Sequence, residues 1–411
     1  MIIKIQKRSI LDYQLILLLL IGFFNILHFL FPEAVSVTFV FVFIFTFIFF
    51  VISIRYSILK ARKNTLRRNI LYYLLFFWLM VMLINNFKFD YVSLRELVIS
   101  PYAFLPYLLP FVVFNLNYSH IDRIVKTITV SNYIYVILVI IYIFTNSDIR
   151  NVGFVEEVNK YFSFPNFFLL FIYFKLNKQQ KFISFSVFLI GFLISVFTGR
   201  RSLTWVYSWA LIFFIYLNYF NANANILKKI RFFFILLLTS FSLFWGYEKY
   251  SESFLGRFVS RINEDTRSSV ENDFLNDMNF NDWTFGKGVN GTYKLNETDF
   301  LYDNEDNLLT ERNIIESGYQ NLFLHGGPIY FIIYFIIIII AIYKGFFKSK
   351  NIYGKPFAFF ILLFVLESYP AGILTFNMRF FLLWICIFAC WDNLYLKKTD
   401  YLTKSQEDAI S

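Results

Sequence analysis

The sequence predicts an all-α fold: a polytopic bundle of about twelve membrane-spanning helices carrying one large polar loop late in the chain. Three observations lead there. Apolar residues make up 58% of the chain and charged residues 16%, against roughly 45–50% and 25% in soluble domains. The apolar residues gather in runs near the length of about 20 that crosses a bilayer core as a helix. Residues 248–325 then break the pattern with 15 acidic and 7 basic residues. Backbone groups in lipid must be satisfied within their own segment, so long unbroken runs mean helices and not barrel strands.

In chain order the spans fall at 13–31, 34–54, 70–86, 96–115, 128–146, 161–176, 182–199, 202–220, 231–247, 328–343, 356–372 and 377–396. The sixth is short and contains Pro165. The chain therefore divides into a nine-helix membrane region (1–247), the large loop (248–325), a three-helix membrane region (326–396) and a polar tail (397–411). Lys4, Lys7 and Arg8 before the first apolar run resemble a signal peptide. No small-residue cleavage site follows before the second run, so the first run reads as a retained helix.

Charge sets the expected orientation. With the N-terminus on the cytoplasmic side, 24 of the 38 Lys and Arg fall in cytoplasmic segments, as the positive-inside rule requires. The connection from Arg55 to Arg68 alone holds six. Both termini are then cytoplasmic, and the large loop lies outside a cytoplasmic membrane. The net charge of +10 reads as a topogenic signal, and no nucleic-acid partner is expected. There is no Walker A sequence, which argues against nucleotide hydrolysis. Cys386 and Cys390 sit one turn apart within the last span and read as small packing residues.

The loop divides by pattern. Phe254, Leu255, Phe258, Val259 and Ile262 form an apolar stripe at helical spacing, which predicts an amphipathic helix over 248–275 lying on the membrane surface. Residues 283–293 are glycine-rich and must turn. Residues 296–312 are acidic and polar, an ordered excursion. From Asn313 the pattern is helical again and runs through Gly326-Gly327-Pro328 into the tenth span.

Cations on the outer side run against the topological bias. Arg200 and Arg201 occupy the tight turn between the seventh and eighth spans, and Arg257, Arg261 and Arg267 lie on the loop helix. Arg312 precedes the tenth span and Arg379 opens the twelfth. Arginine offers a fixed fork of donors that matches phosphate oxygens, so Arg200, Arg201, Arg261, Arg267 and Arg379 are candidate diphosphate ligands. The alternative is that they pair with the loop's acids or with lipid phosphates; for Arg379, an ion pair with Glu367 is the specific form. Glu316, just before the tenth span, is a candidate general base for a hydroxyl. His325, the loop's single histidine, is the fallback, while His28 and His120 read as structural. One loop histidine without a ligand pattern predicts no metal site, and no cofactor is expected.

The order of these parts carries a resemblance. The turn Thr198-Gly199-Arg200-Arg201, a long loop with an arginine-bearing helix, then Phe285-Gly286-Lys287-Gly288, then Glu316-Ser317-Gly318-Tyr319-Gln320-Asn321 and Gly326-Gly327-Pro328 resemble the Wzy polymerase and O-antigen ligase superfamily. The layout covers nearly the whole chain; the local motifs cover only about 50 residues. Arg201 matches the family's arginine turn, Gly286 and Gly288 its loop-shaping Gly-x-Gly, and Arg267 its arginine upstream of that turn. Ligases of the superfamily carry a histidine about ten residues before the glycine heading the next span; here that register holds Glu316-Ser317 and His325 falls too late. This favours the polymerase branch.

The resemblance implies a metal-independent glycosyltransferase that joins polyprenyl-diphosphate-linked oligosaccharide repeats for O-antigen, capsule or exopolysaccharide. It implies membrane lipids, a flippase and a chain-length regulator as further partners. Trp283, Tyr293 and Tyr319 are candidates to stack on sugar rings, with local packing as the alternative. The competing classes are a transporter or flippase without chemistry, and a scaffold of an envelope-assembly complex. Transporters bind near the midplane through intramembrane charges, which are almost absent here.

Overall fold

The computed structural model describes residues 10–31, 35–60, 66–85, 100–113, 118–145, 152–198, 200–220, 268–295, 301–302, 308–315, 317–370 and 372–392. The chain there is an all-α bundle. Its helices are α1 (Ile10–Leu30), α2 (Val35–Lys60), α3 (Ile70–Ile84), α4 (Leu105–Val112), α5 (Tyr118–Thr145), α6 (Val152–Val158), α7 (Asn166–Phe171), α8 (Lys178–Phe197), α9 (Arg201–Ile215), α10 (Ser268–Asp277), α11 (Phe280–Phe285), α12 (Gly318–Tyr343), α13 (Gly354–Glu367) and α14 (Met378–Trp391). Five of the described helices are long and apolar enough to cross a membrane: α1, α2, α5, α8 and α12, the last running with its π-helical extension to Lys348. The protein is thus membrane-embedded by composition and length of its helices.

The elements follow from sequence chemistry, with two departures. Residues 161–176 do not form one helix. Pro165 has no amide hydrogen, and the chain passes instead through a π-helical turn (Asn159–Ser163), the short α7 and a 3₁₀ turn (Tyr173–Lys175). Every residue of α7 is buried, so this segment fills the bundle's interior. Within 96–115 only α4 is helical among the described residues, and it carries Pro106 and Pro110. The span expected at 231–247 and the first part of the amphipathic loop helix lie outside the described residues. Its last residues are helical as α10.

The centre of the bundle is α14, in which all residues from Met378 to Trp391, both cysteines included, are buried. A helix apolar over most of its surface is either enclosed or lipid-facing, and α14 is enclosed. It packs on α13, α12, α4 and α1. Lipid is as apolar as these side chains, so association rests on close packing and interhelical hydrogen bonds. Aromatic contacts supply part of this: Trp384 meets Tyr334 edge-on at 5.7 Å, and Phe381 meets Phe49 at 5.8 Å.

Hydrogen bonds supply the rest. Asn159, in the π-helical turn, accepts from Tyr207 Oη at 2.7 Å and Tyr135 Oη at 3.2 Å, while Ser163 Oγ lies 2.6 Å from the same Tyr207 hydroxyl. Nearby, Asn166 Oδ1 receives Asn132 Nδ2 at 2.8 Å and Ser184 Oγ at 2.7 Å. These groups join α5, α7, α8 and α9 through the irregular segment that Pro165 creates. Tyr207→Phe removes the shorter of the two donors to Asn159 and the hydroxyl partner of Ser163, and we expect a loss of about 1–3 kcal/mol, read as a lower Tm of the detergent-solubilised protein. An unchanged Tm would show that the network contributes nothing.

Candidate functional site

α12 does not run straight. Gly327 has φ 64° and ψ 178°, and Pro328 follows it. The break frees carbonyls that the continuing helix would have paired. Partners arrive from elsewhere in the chain: Lys287 N donates to Leu324 O at 2.6 Å, Gly288 N to His325 O at 3.1 Å, and Trp78 Nε1 to Gly326 O at 2.7 Å. The Gly-x-Gly turn therefore acts as a cap on a broken helix.

Gly286 and Gly288 carry positive φ values of 73° and 80°. A Cβ on Gly286 would stand 2.5 Å from both Gly327 N and His325 O, so the two backbones touch where no side chain fits. The turn also reaches the end of α3. Asn85 Nδ2 donates to Gly286 O at 2.6 Å, and Val289 N donates to Met82 O at 3.2 Å. Loop, α12 and α3 thus form one hydrogen-bonded knot.

Beyond the knot lies a polar cleft of about 710 Å³. Asn85, Asn279, Asn281 and Asn290 give it amide groups, and Phe285 is its one large apolar side chain. Asn279 starts α11 with a reciprocal cap: its Oδ1 accepts Asp282 N at 3.0 Å, and Asp282 Oδ2 accepts Asn279 N at 3.2 Å. Lys287 crosses the floor, bonded to Asp277 and 3.8 Å from Asp282. Strand β1 (Tyr293–Lys294) pairs antiparallel with β4 (Glu311–Arg312), and Thr292 Oγ1 donates to Glu311 Oε2 at 2.6 Å. A second strand pair, β2 (Leu301–Tyr302) with β3 (Leu308–Leu309), lies between them in sequence. Phe274, Met278, Tyr293, Leu295, Ile315 and Leu324 form a small apolar core beneath.

The candidate residues distribute unequally over this framework. Glu316, Arg261 and Arg267 lie outside the described residues, as does Arg257. Arg200 is the N-cap of α9 and Arg201 its first residue. Arg200 is 42% exposed and sits 3.5 Å from Glu156. Lys160 bonds Glu156 at 3.0 Å and Glu157 at 2.9 Å, and Tyr102 Oη donates to Glu157 at 2.8 Å. Burial disfavours charge on Glu156, yet Lys160 and Arg200 outweigh it and hold the carboxyl below the usual glutamate range. Its stabilising contribution is therefore full above the ordinary glutamate range and lost as pH falls through the lowered value.

Two assignments change. Arg379 is not presented to a ligand: its guanidinium is buried, bidentate to Glu367, and stacked 4.5 Å from the centre of Phe164. A buried arginine needs this partner, so its charge is committed. His325 is 2% exposed, with Nδ1 2.9 Å from Gly288 O, the backbone of Asn313 as a further hydrogen-bond partner and Tyr107 edge-on at 6.2 Å. The ring pins the loop to α12. α12 begins at Gly318, carries His325 within its first part and breaks at Gly327, next to the boundary drawn at 325/326.

The aromatic candidates separate as well. Tyr293 is fully buried against Phe274, and Tyr319 donates to Val365 O at 2.6 Å. Trp283 keeps 39% exposure. Sequence reading missed the Glu156–Glu157–Lys160 group, although its i, i+3 and i, i+4 spacing was a usable signal. It also missed Asn279 and Asp282, whose capping spacing was visible. The roles of Trp78 and Asn85 had no sequence signal.

The ends of these elements converge. Tyr319 at the start of α12 bonds the end of α13, and Trp205 near the start of α9 donates to Leu366 O at 3.1 Å. Arg379 opens α14 beside the same residues. The arginine turn, the buried ion pair and the loop's helix thus share one end of the bundle. Gly286→Ala combines left-handed strain with a backbone clash, and a loss of at least about 1–3 kcal/mol is expected, seen as faster proteolysis near 286. Arg379→Met leaves Glu367 buried and unpaired, which costs about 3–5 kcal/mol. Adding Glu367→Leu should recover most of that Tm loss; no recovery would show that the pair is not the source.

Comparison with protein-family models, with curated proteins and with solved structures returns no match to this chain.

Proposed function

We propose that this chain polymerises polyprenyl-diphosphate-linked oligosaccharide repeats at the outer leaflet of a bacterial cytoplasmic membrane, with twelve spans and both termini cytoplasmic. One observation supports this above others. The half-buried pair Arg200 and Arg201, at the N-terminus of α9, shares an end of the bundle with the start of α12 and the polar loop. A helix N-terminus with two arginines suits an anion, because backbone donors, helix dipole and guanidinium forks act together.

In this reading Arg200 and Arg201 hold the diphosphate of the lipid-linked glycan, and Arg261 and Arg267 are its further candidate ligands. Glu316, next to Ser317, the N-cap of α12, takes the proton from the acceptor hydroxyl. The hydroxyl oxygen bonds to the anomeric carbon, the bond from that carbon to the diphosphate oxygen breaks, and polyprenyl diphosphate leaves with the electron pair. The arginines stabilise the charge that develops on it, and a partly dry site makes them more effective than water. Arg379, already paired, fixes α14 and takes no part. No metal is required, since arginines supply the counter-charge.

The test is the size distribution of surface glycan in a deletion strain restored with wild type, Arg201→Ala or Glu316→Gln at equal protein levels. Arg201→Ala should lower polymerisation about 10²–10³-fold, and Glu316→Gln about 10²–10⁴-fold, leaving glycan capped at one repeat. Normal polymer length in Arg201→Ala would remove the diphosphate assignment. Repeats trapped on the cytoplasmic leaflet would identify a flippase instead.

A further inference from the structure

The cleft behind the Gly-x-Gly turn has a chemistry of its own. Its volume of about 710 Å³ lies within the roughly 300–1,000 Å³ of small-ligand sites, but its lining is far more polar than theirs. Four asparagine side chains line it, and each amide both donates and accepts. That dual character matches sugar hydroxyls, which also do both. Asn281 is exposed on α11 and points its chemistry at solvent from a helix held by the Asn279–Asp282 cap.

Aromatic surface adjoins the amides. Phe285 lines the cleft, is 44% exposed, and stacks on Trp78 at 5.8 Å with 9° between the planes. This ring is fixed, since Trp78 is itself tied to Gly326. Phe280 and Trp283, also on α11, are 85% and 39% exposed. A flat, rigid ring beside amide groups fits the apolar C–H face of a pyranose with its hydroxyls directed outward.

Charge narrows the class of sugar. Asp277, Asp282 and Glu311 face the cleft against Lys287 and Lys294, and Lys287 is taken up by Asp277 and Asp282. A uronate or other acidic sugar would meet an excess of carboxylates, and like-charge juxtaposition excludes partners effectively. We propose that this cleft, built from α11, the Gly-x-Gly turn and the end of α3, binds neutral or N-acetylated oligosaccharide and rejects acidic glycan. The proposal deepens the polymerase reading and rests on it for the occupant's identity as the acceptor end of a repeat unit. The saccharide chemistry itself stands on the lining.

The experiment uses the full chain in lipid nanodiscs, exposed to a printed panel of short neutral, N-acetylated and uronate-containing oligosaccharides. Neutral or N-acetylated members should be retained at least about tenfold more strongly than acidic members of equal length. Asn281→Ala, at an exposed position, should weaken retention about tenfold, equivalent to about 1.4 kcal/mol. Asn281→Lys should narrow the gap between neutral and acidic members. Arg201→Ala should leave retention unchanged, so normal polymer in that variant removes the diphosphate reading while retention continues to report on the cleft. Three outcomes overturn the proposal: no oligosaccharide retained, acidic members retained equally, or Asn281→Ala indistinguishable from wild type.

Discussion

A carbonyl that loses its helical partner inside a low-dielectric bundle must find another, and that constraint organises the end of the bundle where the Gly-x-Gly turn meets α12. Pro328 cannot donate to Leu324, and the turn at Gly327 withdraws the donors that would have served His325 and Gly326. Two backbone amides of the loop and one indole meet the three carbonyls. The requirement is strict, because an unsatisfied group there costs several kcal/mol. It holds the Gly-x-Gly turn against α12, and α3 becomes part of the same arrangement through Asn85 and Met82. The cleft inherits its shape from this solution: α11 ends where the turn begins.

The same principle explains the second irregularity. Pro165 interrupts a segment that would otherwise span, and the backbone adapts through a π-helical turn that places Asn159 toward Tyr135 and Tyr207. Within lipid such polar side chains act as specific links between helices whose remaining surfaces are interchangeable. The Arg379–Glu367 pair is another such link, and its near-complete burial marks it as a fastening between α13 and α14.

Much of the helical layout was legible in the sequence because period and length respond to one dominant force. The apolar runs at 13–31, 34–54 and 182–199 coincide with α1, α2 and α8 to within a few residues. Gly286 and Gly288 were legible as a turn, and a positive φ is what such glycines permit. The pairing of Glu367 with Arg379 was available as an alternative from their separation alone. What the sequence did not disclose was who receives whom. Nothing local to Trp78 or Asn85 marks them as partners of residues about 200–250 positions later, since such pairings are set by tertiary geometry and not by propensity. For the same reason His325 read as reactive, whereas its neighbours Gly288 and Asn313 give it a mechanical role.

The placement of α14 carries a consequence for how the molecule is made. It is the last described helix in chain order and is enclosed along its whole length, packed on α1 and α4 from the opposite end of the sequence. Synthesis delivers α1 several hundred residues before its central partner exists. The earlier helices must therefore wait in the bilayer around a position held by lipid or by one another, and displacement of those temporary neighbours becomes the closing step of assembly. Arg379 enters with that step, and its counter-charge Glu367 is already present on the preceding helix. The bundle is in this sense built like a vault, whose keystone is set after the ring it locks.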